Sequence, residues 1–177
     1  MINKWNHPFL DQFFKYVTYL GDGLVVILSI PVIAYLRKKN IRKCIYLGLS
    51  ICLGAGIIAQ FFKKLVFKGS KRPAAYFPND VLHLVKGVKV HYWHTFPSGH
   101  SASVYALMLF CVFLFPKNKL FQVFCAIIAF IVSLSRVYLS QHFLEDIIGG
   151  MVLGVVLFFP IVKSFYIKSE EYIVEWN

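Results

Sequence analysis

One histidine of this chain, His100, lies directly after Ser98 and Gly99, at the start of a long apolar run. Ser98 or Ser101 can cap the helix that this run predicts, and Gly99 lets an anion approach the backbone closely. The start of a helix presents unpaired N–H groups and the positive end of its dipole, which suit a phosphate. A histidine there can give or take a proton near neutral pH. The stretch therefore indicates an anion site with an acid–base group, unless it is only a capped membrane helix with an incidental histidine.

A second pair of candidate residues is His142 and Asp146, which are four positions apart and would share one face of a helix. The carboxylate could accept a hydrogen bond from one ring nitrogen and so set the tautomer. The other nitrogen would then be free to act as a nucleophile or a base. The alternative is a structural salt bridge at a helix end.

Three cationic residues could hold an anion beside these histidines. Arg136 precedes His142 by six residues, so a short loop could bring its guanidinium to the same anion. Arg72 supplies a second guanidinium, and two bidentate donors suit a phosphoryl group better than a single carboxylate. Lys64 could add a point charge, although its ammonium could equally extend to a membrane interface.

The composition indicates that membrane-spanning helices must position these residues. The chain has 177 residues, 58% of them hydrophobic, and a mean hydropathy of +0.65, which is too apolar for a soluble domain of this length. The net charge of +11 does not indicate a nucleic-acid-binding protein, because no aromatic-rich basic face lies outside the apolar runs. It favours an anionic substrate and contacts with the cytoplasmic leaflet.

The hydropathy pattern predicts an all-α integral membrane protein, a single domain over residues 1–177 with about five transmembrane helices. The spans are expected near 24–36, 44–66, 102–115, 120–139 and 144–166, and Pro31 should kink the first. Within residues 1–20, an amphipathic helix over 8–20 is too short and too charged to span. We expect it in the interface, beside a lateral entrance from the bilayer. Small residues in the second and fifth spans predict close helix packing: Gly48, Ser50, Gly54, Ala55, Gly56, Gly149, Gly150 and Gly154.

Charge patterning predicts how these spans are oriented. Residues 37–43 contain five basic side chains, and they should face the cytoplasm with residues 116–119 and the tail after 163. Residues 79–95, with a short surface helix near 81–85, would then lie outside. The aromatic residues and histidines at 91–94 are expected to anchor that loop at the interface. On this topology all the candidate residues meet on one membrane face.

The four cysteines lie in or beside apolar spans without metal-like spacing, so we expect buried thiols and neither disulfides nor a zinc site. No cleavable signal peptide is expected.

The three groups of candidate residues together resemble the signature of a known family, the type 2 phosphatidic acid phosphatases, whose superfamily also includes the vanadium haloperoxidases. The matching segments are Lys64–Pro73, Pro97–His100, and Ser135-Arg136 followed at the family's spacing by His142 and Asp146. The resemblance covers residues 64–146. In one departure, the family usually places six residues between its lysine and Arg-Pro, a position that Leu65 occupies here. Seven residues separate Lys64 from Arg72, and the other lysines that could serve are Lys63 and Lys68.

The resemblance implies a metal-independent phosphatase without a cofactor. In it, His142 attacks phosphorus to form a phosphohistidine, and Asp146 orients the ring. His100 protonates the leaving oxygen and later activates water. The implied phosphate-binding residues are Lys64, Arg72, Ser98, Gly99 and Arg136.

The small size of the chain resembles bacterial family members that act on lipid A, undecaprenyl pyrophosphate or phosphatidylglycerophosphate. We therefore expect a multi-pass protein of the bacterial inner membrane with its site facing the periplasm and, as the favoured substrate, lipid A 1-phosphate. A phospholipid or lipid A-type substrate and membrane lipids are the expected partners, without nucleic acid or an obligate protein partner. The family's haloperoxidases are soluble and much larger. A non-enzymatic lipid-binding or transport protein would leave both histidines and Asp146 unexplained.

Overall fold

The computed structural model describes residues 6–38, 40–78 and 81–168, and these residues are mainly helical. The helices are α1 (Pro8–Val17), α2 (Gly23–Arg37), α3 (Ile41–Phe61), α4 (Pro73–Tyr76), α5 (Gly99–Leu114), α6 (Lys119–Tyr138) and α7 (Leu144–Lys168). A 3₁₀ turn, Thr18–Gly21, joins α1 to α2, and a π-helical turn, Phe62–Val66, extends α3.

The helices agree closely with the predicted spans, but not all are long enough to cross a membrane by length and composition alone. Within the described ranges, three segments are long and apolar enough: Ile41–Val66, Lys119–Tyr138 and Leu144–Phe165. A fourth span would require α1 and α2 to act as one segment bent by 64°, whereas α5 has only 16 residues. The chain is thus an all-helical membrane protein whose five-span arrangement stays a prediction. Predicted features in residues 1–5 and 169–177 lie outside the described residues.

Helix α5 lies at the centre of the bundle and packs closely against α7. Close packing was predicted from the small residues, and the structure confirms it for α7. A Cβ on Gly150 would lie 2.3 Å from the carbonyl oxygen of Ser98, and one on Gly154 would lie 2.6 Å from that of Ala102. Since no side chain fits there, the beginnings of α5 and α7 lie side by side.

The glycines of α3 divide into two groups. A Cβ on Gly48 would lie 2.8 Å from Ile30 of α2, so this position requires glycine for packing. A Cβ on Gly56 would meet no atom within 4 Å, which shows that α2 and α3 diverge toward one end of the bundle.

The long loop after α4 is ordered by backbone pairing rather than by a helix. The short helix predicted near 81–85 is wrong, because residues 81–87 form turns and extended backbone; positions 79 and 80 lie outside the described residues. Lys71 and Trp93 form an isolated antiparallel bridge, and the Arg72 N–H donates to the Tyr92 carbonyl at 2.8 Å. This pairing places Arg72 next to the residues that lead into α5.

Helix α1 packs on the end of α6 and on the long loop. The Phe14 and Tyr138 rings lie 4.5 Å apart, and the Tyr138 hydroxyl donates to Asp11 at 2.6 Å. Asp11 also contacts His83 Nε2 at 2.8 Å. Phe9, on the other side of α1, is 70% exposed, and the expected amphipathic helix at the membrane interface stays a prediction. The four cysteines are buried, as predicted.

Candidate active site

A cavity of about 580 Å³ lies at the end of the bundle where α5 and α7 begin. It contains most of the candidate residues predicted from the sequence: Arg72, Gly99, His100, Arg136 and His142. The cavity extends between α2 and α3, where its wall is apolar. The residues of this wall include Val26, Ile27, Leu53, Gly56 and Ile57. A cationic pocket therefore opens into an apolar cleft.

His142 and Asp146 are in contact as predicted, but not on one helix face, because α7 begins at Leu144 and His142 lies in the turn before it. His142 Nδ1 lies 3.4 Å from Asp146 Oδ2, and both side chains are buried. The carboxylate is held in place by the Phe143 backbone N–H, which donates to the same oxygen at 2.7 Å. With Nδ1 turned toward the carboxylate, Nε2 is left as the reactive nitrogen of the ring. The structure places Asp146 behind His142 and not in the wall of the cavity.

A tight turn after α6 brings Arg136 next to His142. The carbonyl oxygen of Arg136 accepts hydrogen bonds from the backbone N–H groups of Gln141 at 2.9 Å and His142 at 3.1 Å. The buried guanidinium donates from Nη1 to Thr18 Oγ1 at 2.9 Å. Its Nε has no hydrogen-bond partner among the described residues. A buried cationic N–H without an acceptor fits a site that binds an anion.

Three carbonyl groups hold Arg72 in position. Its Nε donates to the Trp93 carbonyl at 2.9 Å, and its Nη1 donates to the Gln141 carbonyl at 3.0 Å. Its Nη2 donates to the His94 carbonyl at 3.4 Å. Burial lowers the pKa of Arg72, and the charge of Asp146 opposes this effect. Because carbonyl groups orient the guanidinium without neutralising it, its charge remains available to a ligand.

The structure brings Lys63, and not the predicted Lys64, into the cavity. Lys63 is 7% exposed, and a Cβ on Gly99 would lie 3.9 Å from its Nζ. Lys64 is exposed and does not line the cavity, and neither does Lys68. The π-helical turn closes with a bond from the Phe67 N–H to the Phe62 carbonyl at 2.8 Å. A π turn contains more residues than an α turn, which accommodates the unusual spacing between the lysine and Arg72.

The beginning of α5 contributes Gly99 and His100 to the cavity, whereas Ser98 is buried as the cap of the helix. The Ser98 hydroxyl accepts from the Ser101 N–H at 3.3 Å, and the Ser98 N–H donates to the Asp146 carbonyl at 2.9 Å. Ser98 does not line the cavity. It positions the helix start instead, which turns that end of α5 toward the cations.

The electrostatics of the cavity favour a bound anion and a neutral histidine. Among the residues that the structure describes, Asp22 is the one acidic residue that lines it. Burial, followed by the charges of Lys63, Arg72 and Arg136, holds the pKa of His142 well below its ordinary value. A neutral imidazole retains the lone pair that a nucleophile needs. No cluster of three or more His, Cys, Asp or Glu side chains in the described part of the chain is arranged to hold a metal ion.

Sequence reasoning missed residues that act through hydrogen bonds between distant segments. Thr18 contacts Arg136, Gln141 contacts Arg72, and Thr95 contacts His142. No motif in the sequence marks these partners. His91 lies at the exposed mouth of the cavity, and burial and nearby positive charges lower its pKa.

Helix α1 does not line the cavity. The cavity lining in this part of the chain begins after α1, at Gly21–Gly23. The apolar wall comes from α2 and α3, which does not support the expectation that α1 borders a lipid entrance.

Comparison with known proteins agrees with this geometry. The model of the PAP2 superfamily matches residues 43–170, and the chain belongs to that superfamily. Phosphatidylglycerophosphatase B of Bacillus subtilis is 40% identical over 86 residues, which are 44% of this chain and 42% of that protein. Lipid A 4′-phosphatase of Porphyromonas gingivalis is 28% identical over 165 residues, 88% of this chain and 66% of that protein.

The crystal structure of LpxE from Aquifex aeolicus superposes with a TM-score of 0.74 at 25% identity, covering 92% of this chain and 90% of that one. The chain spans less than two thirds of the length of each of the two curated relatives, phosphatidylglycerophosphatase B and lipid A 4′-phosphatase. The resemblance seen in the sequence is confirmed, and the two curated relatives are lipid phosphatases by name.

Proposed function

We propose that this member of the PAP2 superfamily hydrolyses the phosphate group of a membrane lipid through a phosphohistidine at His142. The observation that carries the proposal is the buried His142–Asp146 pair, whose histidine lines a cavity in which the charged groups are mainly cations. Phosphoryl transfer requires chiefly positioning and charge stabilisation, and this cavity is suited to both.

In the proposed reaction, Nε2 of neutral His142 attacks phosphorus and the bond to the leaving oxygen breaks. His100, whose protonated form the negative charge of the bound phosphate favours, gives its proton to that oxygen. Water then attacks the phosphohistidine while His100 takes a proton from it, so the phosphorus–nitrogen bond breaks and inorganic phosphate leaves. Lys63, Arg72 and Arg136 would stabilise the charge on the phosphoryl oxygens, with the amide of Gly99 as a further donor.

We assign the phosphate-binding lysine to Lys63 in place of Lys64. The burial of Lys63 and the short distance from its Nζ to Gly99 favour this assignment. The side chain of Lys64 is exposed and does not line the cavity. The side chain of Ser98 acts in this proposal through the cap of α5 rather than through direct phosphate contact.

The apolar cleft between α2 and α3 is the proposed seat of the lipid chains. It joins the cationic end of the cavity without a break, so a lipid could place its phosphate at His142 while its tails remain in the bilayer. Catalysis would need neither a metal ion nor a cofactor, because the three cations supply the positive charge that a metal otherwise supplies.

We propose five spans, with α1 at the interface and the cavity facing the periplasm. The basic residues 37–43 lie at the opposite end of α2 from the cavity, and α6 begins at Lys119 on that same side, as the positive-inside rule favours. Single cysteines at positions 40 and 81, in a variant without native cysteines, would test this in intact cells. An impermeant reagent should label position 81 and not position 40; the reverse pattern would refute the orientation.

Among head groups we favour lipid A, with the 1-phosphate as the specific expectation. A lipid A 4′-phosphatase matches 88% of this chain in sequence and lipid A 1-phosphatases match 56%, whereas phosphatidylglycerophosphatase B matches 44%. Phosphatidylglycerophosphate and undecaprenyl pyrophosphate are the alternatives.

Phosphate release by the purified protein tests the function directly. Wild-type protein should release phosphate in excess chelator from at least one of four lipids: lipid A 1-phosphate, lipid A 4′-phosphate, phosphatidylglycerophosphate and undecaprenyl pyrophosphate. His142→Ala should reduce turnover by about a thousandfold or more while the protein stays folded. An acid-labile, base-stable phosphoenzyme should form in wild type and be absent from His142→Ala. Turnover by His142→Ala at the wild-type rate would refute the proposal.

A further inference from the structure

Thr95 belongs to the loop before α5 and is held in a fixed orientation. Its backbone N–H lies 3.0 Å from Ser70 Oγ, and its side chain is buried, with 5% exposure. The support from Ser70 joins this loop to the segment that carries Arg72. This contact and the burial of Thr95 fix its position beside the site.

The Thr95 hydroxyl touches both members of the His142–Asp146 pair, from 47 and 51 residues away in sequence. It donates a short hydrogen bond to Asp146 Oδ2, and its oxygen lies 3.2 Å from His142 Nδ1. The direct distance from Nδ1 to Asp146 Oδ2 is longer, at 3.4 Å. Because the hydroxyl gives its proton to the carboxylate, its oxygen can accept the proton that Nδ1 carries.

We infer that Thr95 is a positioning residue that completes the His142–Asp146 pair as a triad. This inference rests on the proposed function of His142. Thr95 holds the carboxylate oxygen and offers Nδ1–H an acceptor closer than that carboxylate. Both contacts favour the tautomer whose Nε2 lone pair faces the phosphoryl group.

The contribution of Thr95 is separable from that of Asp146. The Phe143 N–H still holds Asp146 Oδ2 when the hydroxyl is removed, so the carboxylate should remain near the ring. Loss of the hydroxyl should therefore slow phosphohistidine formation without abolishing it. Substrate binding should stay nearly unchanged, because Thr95 does not line the cavity that holds the cations.

The test compares Thr95→Val, which is isosteric and lacks the hydroxyl, with Thr95→Ser, which keeps it. In detergent-purified full-length protein, kcat of Thr95→Val should fall by about 10- to 100-fold, as for loss of a hydrogen bond to a charged group, and KM should change little. Rapid-quench measurement should show the same slowing of phosphoenzyme formation. Thr95→Ser should retain kcat within about threefold of wild type, with apparent Tm recorded for each variant.

The outcomes separate this inference from the proposed function. Wild-type kcat in Thr95→Val, or equal losses in Thr95→Val and Thr95→Ser, would refute the role of Thr95 while leaving His142 as the nucleophile. If Thr95→Val does not fold, Thr95→Ala replaces it, and equal activity of the Ala and Ser variants refutes the role. A wild-type protein that releases no phosphate from any tested lipid would overturn both proposals.

Discussion

The guanidinium of Arg72 donates a 3.0 Å hydrogen bond to the carbonyl of Gln141, the residue directly before His142. A cation of the phosphate site and the candidate nucleophile are thus joined through a single backbone group, although 70 residues of chain separate them. The Trp93 carbonyl accepts from Arg72 Nε on the other side. Arg72 therefore acts as a structural link between the long loop and the turn before α7, as well as a charge.

We expect Arg72→Lys to be nearly as damaging as Arg72→Met. A lysine keeps the charge but cannot donate to the carbonyls of Trp93 and Gln141 in the fork geometry of a guanidinium. Both variants should lower kcat/KM for lipid phosphate hydrolysis by about 10- to 100-fold or more. Arg42→Lys, in the first turn of α3 and at the end of the bundle away from the cavity, is the control and should leave kcat/KM unchanged. Full activity in Arg72→Lys would show that charge alone is required.

The neighbouring lysines Lys63 and Lys64 offer a matched pair of variants. Lys63→Met removes a buried cation from the cavity and should reduce kcat/KM by about 10- to 100-fold. Lys64→Met removes an exposed lysine and should leave kcat/KM within about threefold of wild type. The opposite order of effects would restore the assignment made from the sequence.

The pH dependence of catalysis should reflect the lowered pKa of His142. Burial and the charges of Lys63, Arg72 and Arg136 lower that pKa, so the ring stays neutral, and nucleophilic, to lower pH than an exposed histidine. The acid limb of kcat/KM should therefore lie below pH 6.5, the ordinary value for histidine. Lys63→Met removes one of these charges and should move the limb to higher pH, and Lys64→Met should not. Identical profiles in all three proteins would contradict this electrostatic account.

Gly150→Ala should destabilise the protein and disturb the site. Its Cβ would lie 2.3 Å from the Ser98 carbonyl oxygen and 2.9 Å from Ser101 Cβ, so α5 and α7 must separate. Overpacking of this kind costs about 1–3 kcal/mol, and the displaced cap of α5 should also reduce turnover. Gly56→Ala is the control, since its Cβ would enter open space and alanine favours the helix. Thermal unfolding in detergent should show a lower apparent Tm for Gly150→Ala only.

Gly56→Phe tests whether lipid tails occupy the cleft between α2 and α3. The added ring would fill part of the apolar wall, which lies away from the cations. Hydrolysis of the long-chain lipid should fall, whereas hydrolysis of a short, water-soluble phosphate ester should change little. The comparison is Phe14→Ser on α1, whose ring packs on Tyr138 and not in the cavity. It should lower the apparent Tm and affect both substrates equally; selective loss on long-chain lipid would restore α1 as the border of the entrance.

The sequence alone was sufficient to locate most helices and most of the candidate site. Apolar runs predict helix positions because backbone groups in a bilayer must be satisfied within the helix. The boundaries of α6 agree with prediction to within one residue, whereas α5 begins three residues earlier than expected because Ser98 caps it. The spacing of His142 and Asp146 predicted their contact, but not its form: His142 lies before α7, and the two side chains meet across the start of the helix rather than on one helix face.

Tertiary structure decided which lysine enters the cavity and which residues support the charged groups. Lys63 and Lys64 are adjacent in sequence, and only the π-helical turn at the end of α3 determines which of them is buried. Thr95, Gln141 and Thr18 contact their partners from 47, 69 and 118 residues away. Such contacts depend on how the helices and loops pack in three dimensions, because hydrogen bonds between distant segments leave no periodic pattern along the chain.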